Sequence, residues 1–305
     1  MAIPKWIGVY PALLTPFNAD ESIDESMFIK NLEAQIEAGV HGVIIGGSLG
    51  EASTLLNEEK IALLQIAKQV VPEHIPIIIN IAESTTRAAV AFAQSAEHAG
   101  ADGFMLLPPM RYKSDDHETV QYFKTVATAT SLPIMIYNNP VDYKIEVTLD
   151  MFEQLAEHDN IQAVKESTRD VSNVTRMKNR FGDRFKILCG VDTLALEELC
   201  LGADGWVAGL VDAFPRETVA IYQLLKEGRL AEALTIYRWF LPLLELDINP
   251  KLVQNIKLAA THTGIGTPYV RTPRLGLSGA ELKSVNDIII AAIAVRPILH
   301  DYRSL

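Results

Sequence analysis

Positive charge is scarce in this chain: 27 lysines and arginines stand against 38 acids, for a formal net charge of −11. That surplus repels nucleic-acid backbones and anionic membranes, and no basic patch interrupts it, so neither is expected as a partner. Long apolar runs are also missing. Val40–Ile45 and Ile75–Ile79 carry His, Gly or Pro and fall far short of the roughly 20 residues a spanning helix needs. The opening MAIPKWIGVY has one lysine but no long apolar stretch with a small-residue cleavage site, so no secretory signal is expected and the address is read as cytoplasmic. Two cysteines, Cys189 and Cys200, are too few to staple 305 residues and too far apart for a CxxC pair; both are read as buried thiols. Seven histidines fall in no metal-ligand spacing, and the glycine-rich GGSLGE lacks a Walker lysine, so neither metal, nucleotide nor other cofactor is expected.

Apolar residues, by contrast, make up 49% of the chain, enough for a sizeable core. Three segments resemble one another: EAGVHGVIIGG, HAGADGFMLLP and CLGADGWVAGL. Each reads as a helix end, a glycine stop, a second glycine in a tight turn, and a short strand apolar on both faces, the kind that belongs to a parallel sheet. WIGVYPALLTPF, PIIIN, PIMIYNN, IQAVKES and FKILCGV supply further strands, about eight in all. Between them lie amphipathic segments with start signals at Asp24, Asn57, Ser84 and Thr148. This alternation predicts an α/β fold, a closed (β/α)8 TIM barrel over residues 1–228, with an open doubly wound sheet as the alternative. From residue 229 to 305 only helices are expected, EALTIYRWFLPLLEL, PKLVQNIKLAATHTG and GAELKSVNDIIIAAIAVRP, forming a three-helix C-terminal extension packed on the barrel as one structural unit.

In such a barrel the reactive groups gather at the carboxyl ends of the strands. IQAVKES ends on Lys165, and strand alternation puts Ile161, Ala163 and Lys165 on one face. An amine desolvated in this way loses proton affinity and becomes a nucleophile toward carbonyl carbon; a strand-end lysine reaching solvent is the plain alternative. PIMIYNNP ends on Tyr137, a phenol able to relay protons if its pKa is brought down from about 10. In GGSLGE, the amides of Ser48 and Leu49 form a candidate carboxylate nest with the Ser48 hydroxyl as relay, a plain turn being the other option.

GGSLGE, YNNP and the lysine of VKES, with GVD at 190–192 and GWVAGL at 205–210, together resemble the family of dihydrodipicolinate synthase and N-acetylneuraminate lyase over nearly the whole chain. The resemblance implies a Schiff base between Lys165 and a 2-oxo acid, proton shuttling by Tyr137, and a carboxylate held by Ser48 and Leu49. It adds Gly47, Asn139, Ser167, Gly190 and Val207 as candidate substrate-binding residues, it implies a homodimer or homotetramer, and position alone adds Asp142 and Tyr143 as candidates to meet the substrate's hydroxyl or ring nitrogen. Three departures bear on the substrate. Met110 and Arg111 stand where the synthase branch has two tyrosines, Asp142 replaces an arginine that binds the second substrate, and Leu49 replaces a second hydroxyl. The pattern is most similar to deaminases of 1-pyrroline-4-hydroxy-2-carboxylate in hydroxyproline degradation. The alternatives are a 2-keto-3-deoxy sugar acid aldolase or dehydratase, a synthase-like condensation of pyruvate, and a non-catalytic carboxylate-binding barrel.

Overall fold

A computed structural model describes residues 2–109, 112–299 and 302–303. Eight strands, β1 (Gly8–Pro11), β2 (Val43–Ile45), β3 (Ile77–Ile81), β4 (Gly103–Leu106), β5 (Ile134–Asn138), β6 (Ile161–Glu166), β7 (Lys186–Cys189) and β8 (Gly205–Ala208), pair in parallel. Each strand neighbours the next in sequence, and β1 pairs with β8. A parallel bridge from Ala12 to Ile44, with the Leu13 N–H donating to the Ile44 carbonyl at 2.9 Å, joins the first strand to the second. The sheet therefore rolls into a (β/α)8 barrel, and the open doubly wound alternative falls. Strand side chains are almost all buried on both faces because helices cover the outside while side chains fill the inside.

The covering helices are α1 (Glu25–Ala38), α2 (Asn57–Val70), α3 (Thr86–His98), α4 (Asp116–Thr128), the single turn α5 (Pro140–Tyr143), α6 (Leu149–Leu155), α7 (Ser172–Phe181), α8 (Ala195–Cys200) and α9 (Pro215–Lys226). Asp24 and Thr148 cap α1 and α6 as expected. The other two expected caps shift by one residue. Leu56 precedes α2, and its N–H donates to Glu59 Oε2 at 2.8 Å, while the Asn57 amide is drawn to Glu83 at 3.0 Å. Thr85, not Ser84, accepts from the Ala88 N–H at the start of α3.

Gly39, Gly100 and Gly202 take the left-handed φ of 90°, 91° and 101° that stops each helix. The second glycine of the repeat supplies room rather than the expected tight turn. A Cβ on Gly205 would stand 2.5 Å from the Gly8 carbonyl oxygen across the β1–β8 seam. Cys189 is buried, but Cys200 is exposed at the end of α8, contrary to its reading as a buried thiol.

Three further helices follow, α10 (Leu230–Leu244), α11 (Leu252–His262) and α12 (Gly279–Ala294). They dock firmly. Phe240 and Trp239 meet Phe214 edge-on, and the Tyr237 hydroxyl donates to the Asp192 carbonyl at 3.1 Å beneath the barrel mouth. Among the described residues no helix is long and apolar enough to cross a membrane.

Candidate active site

A cavity opens at the carboxyl ends of the strands, and Lys165 forms its floor. The register of β5 against β6 sets Tyr137 opposite Lys165, so the two side chains leave the sheet together. The lysine is only 7% exposed, with its Nζ 4.1 Å from the centroid of the Tyr137 ring. Burial drives its pKa below the usual lysine range, while electrostatic coupling to Tyr143, Asp247 and Asp192 pulls the other way. Room for the side chain comes from the residue after β7: a Cβ on Gly190 would fall 2.7 Å from Lys165 Cε and 2.1 Å from Ser167 Oγ.

The Tyr137 hydroxyl accepts a hydrogen bond from Asn139 Nδ2 at 3.1 Å. Burial nevertheless pushes the phenol up, outweighing the donors Asn139 and Ser167, so the condition that its pKa be lowered is not met. Tyr137 is held as a neutral phenol, suited to giving a proton and passing it on rather than to resting as a phenolate.

The one-turn helix α5 follows YNNP because Asn139 caps it, accepting the Asp142 N–H at 3.1 Å, and because Pro140 starts it without needing a donor. The same amide donates to Asp142 Oδ2 at 2.8 Å, tying Tyr137 and Asp142 to one residue. Asp142 is exposed at the rim of the cavity. Tyr143 turns back so that its hydroxyl meets Ser48 Oγ at 2.5 Å and its ring stands edge-on to Tyr137 at 5.5 Å.

The loop after β2 folds on itself, with Glu51 N–H donating to Ser48 O and Ala52 N–H to Gly47 O. Among the described residues the Ser48 and Leu49 amides take no part in backbone pairing, and both residues line the cavity. Gly50 permits this bend, since a Cβ there would lie 2.8 Å from the Leu13 carbonyl.

Of the residues singled out in the sequence, Ser48, Leu49, Tyr137, Asn139, Asp142, Lys165, Ser167, Gly190 and Val207 line one cavity. Gly47 and Tyr143 sit behind that lining, Gly47 against Met105 and Tyr143 against Ser48. Met110 and Arg111 lie outside the described residues. The sequence did not point to two further charged wall residues. Arg169, exposed at the rim with a left-handed φ of 65°, lies two residues after VKES. Asp247 reaches in from the C-terminal extension, with no motif to mark it. Burial and the neighbouring Asp192 push Asp247 up to about 8, while Lys165 opposes the shift. Asp192 itself is fixed below the site by donors from Trp206 Nε1 at 2.9 Å and the Leu210 amide at 2.7 Å. Among the described residues no group of three His, Cys, Asp or Glu side chains is placed to hold a metal ion.

A desolvated amine and a neutral phenol in one small cavity suit addition of the amine to an electrophilic carbon. The chain is 33% identical over 276 residues to 4-hydroxy-tetrahydrodipicolinate synthase of Exiguobacterium sibiricum, covering 90% of this chain and 93% of that protein. Its fold superposes with a TM-score of 0.88 on the same-named enzyme of Methylacidiphilum fumariolicum SolV, at 30% identity over 94% of this chain and 97% of the other. A prophage protein from E. coli K12, solved in complex with pyruvate, gives a TM-score of 0.88 at 25% identity, covering 95% and 99%. Residues 5–292 match the description of the Dihydrodipicolinate synthetase family, and since that span takes in the barrel, the lysine-bearing strand and most of the extension, the chain belongs to this family.

Proposed function

We propose that Lys165 forms a Schiff base with a small 2-oxo acid or cyclic imino acid, and that the reaction is deamination with dehydration of 1-pyrroline-4-hydroxy-2-carboxylate to 2-oxoglutarate semialdehyde. The amine adds to C2 of the cyclic imine, a C3 proton leaves, the 4-hydroxyl departs as water, and hydrolysis releases ammonia and the product. Tyr137 moves the protons, and Ser48 with the Leu49 amide holds the carboxylate. The observation that carries the reading is the Lys165 amine, 7% exposed and 4.1 Å from the Tyr137 ring centroid at the mouth of the barrel. The narrower substrate assignment is supported by the cavity wall, where Asp142 would repel a second carboxylate and the Asp247 carboxyl group is suited to a hydroxyl or an amine.

A synthase-like condensation of pyruvate is the second reading. It is favoured by the names of the relatives and by Arg169, a cation at the rim able to meet a second carboxylate. A 2-keto-3-deoxy sugar acid would use the same lysine and tyrosine. A small carboxylate substrate and assembly as a homodimer or homotetramer belong to the same proposal; light scattering measures the latter.

Borohydride trapping followed by peptide mass mapping tests the chemistry. A reducible adduct on Lys165 supports it, whereas full turnover by Lys165→Ala would leave only the non-catalytic binding barrel. Ammonia release from the pyrroline acid, against pyruvate release from sugar acids and pyruvate consumption with a carboxylate-bearing aldehyde, then selects the substrate.

A further inference from the structure

The cavity holds one acid that the steps above leave unassigned. Asp247 follows the end of α10, where Leu243, Leu244 and Leu246 are buried and its own N–H donates to the Leu244 carbonyl at 3.0 Å, so its position is fixed by the packing of the extension. The carboxyl group reaches over the end of β8: a Cβ on Gly209 would come within 2.8 Å of Asp247 Oδ1. The ionisable groups facing it are Lys165 from β6, Tyr137 from β5, Asp142 from α5, Asp192 after β7 and Arg169 at the rim.

Resting on the Schiff-base reading, we propose that Asp247 is the acid that protonates the departing group of the substrate, so that the helical extension supplies a catalytic residue to the barrel. Asp142 is poorly placed for that task, being exposed and already accepting from Asn139. Burial and the nearby Asp192 push Asp247 up to about 8, which keeps it protonated at neutral pH, and the same dry surroundings favour the neutral amine of Lys165. Burial thus moves both groups toward their working forms, the neutral amine and the protonated acid.

The step balances within the cavity. In the enamine on Lys165, the nitrogen lone pair re-forms the iminium, the C2–C3 π pair becomes the C3–C4 double bond, and the C4–O bond breaks with its electrons on oxygen. The Asp247 proton converts that oxygen to water and leaves a carboxylate. The carboxylate then takes a proton from the water that hydrolyses the adduct, restoring the acid.

The test compares wild type, Asp247→Asn and Asp247→Glu on the pyrroline acid, with ammonia release followed and adducts trapped by borohydride and weighed. Pyruvate, which has no leaving group, is trapped in parallel. Asp247→Asn is expected still to trap pyruvate on Lys165, to lose roughly 10²- to 10⁴-fold in ammonia release, and to accumulate an adduct that still carries the hydroxyl. Asp247→Glu, which keeps an acid, should stay well above Asp247→Asn. Ammonia release by Asp247→Asn within about threefold of wild type, or loss of pyruvate trapping, overturns the assignment. If wild type releases no ammonia, the pyrroline substrate is wrong. The same comparison on a 2-keto-3-deoxy sugar acid then decides Asp247, a lost release of water supporting it and an unchanged rate overturning it.

Discussion

Lys257 Nζ lies 2.5 Å from Glu51 Oε1, with the two side chains 1% and 0% exposed. Glu51 belongs to the loop after β2 proposed to hold the substrate carboxylate and has a left-handed φ of 58°, whereas Lys257 belongs to α11 of the extension. Lys257 also donates to the Tyr269 carbonyl at 2.6 Å, and the second Glu51 oxygen accepts from the Arg271 amide at 3.2 Å. The extension therefore clamps the loop that presents Ser48 and Leu49. Lys257→Met leaves a buried carboxylate without its ammonium and is expected to cost about 3–5 kcal/mol. Chemical denaturation measures the loss, and at temperatures where the variant stays folded KM for the carboxylate substrate should rise more than kcat falls.

Gly190→Ala places a methyl group 2.7 Å from two carbons of Lys165 and 2.1 Å from Ser167 Oγ. The lysine must swing away or the strand must shift, and overpacking of this kind costs about 1–3 kcal/mol. The rate of borohydride-trapped adduct formation should fall by an order of magnitude or more, while circular dichroism still reports a folded barrel.

The pH dependence of turnover should be bell-shaped. Lys165 attacks only as the neutral amine, so activity falls on the acid side as it becomes ammonium, below the ordinary lysine range because burial depresses its pKa. Asp247 gives a proton only while protonated, so activity falls on the alkaline side through about 8. In Asp247→Asn the alkaline limb should vanish and the acid limb remain; a steady-state pH profile of kcat shows whether it does.

Glu198 on α8 is fully buried, and neither of its carboxyl oxygens has a hydrogen-bond partner of good geometry among the described residues. Burial, helped by the charge of Glu166, pushes it up to about 8. Its folded pKa lies above its unfolded value, so the folded state binds more protons between about 4.5 and 8 and stability falls as pH rises through that window. Glu198→Gln keeps the shape and removes the ionisation. The variant should match wild type near the lower edge of the window and exceed it by a few kcal/mol, an order-of-magnitude figure, near the upper edge. Melting temperatures across that range check the sign.

Much of the barrel was legible because its signals are local. A helix stop at Gly39, Gly100 or Gly202 needs only one residue free to take positive φ, and doubly buried strands announce themselves as short unbroken apolar runs. The positions of Lys165 and Tyr137 were legible for the same reason, each lying one residue before the end of its strand and both lining the cavity. The caps at Asn57 and Ser84 were missed by one residue, since several polar residues stand together there and tertiary partners such as Glu83 choose among them. The exposure of Cys200 was missed because composition says that cysteines are usually inside, not which side of a short helix they occupy.

The amino-acid order by itself determined an eightfold alternation of strand and helix, a helical tail, and a lysine at one strand end with a phenol at the preceding one. Only the closed barrel decided that these two meet, that the phenol stays neutral, and that Asp247 joins them from the tail. Proton affinity depends on how much water and charge surround a group, and those surroundings are built from segments far apart in the chain.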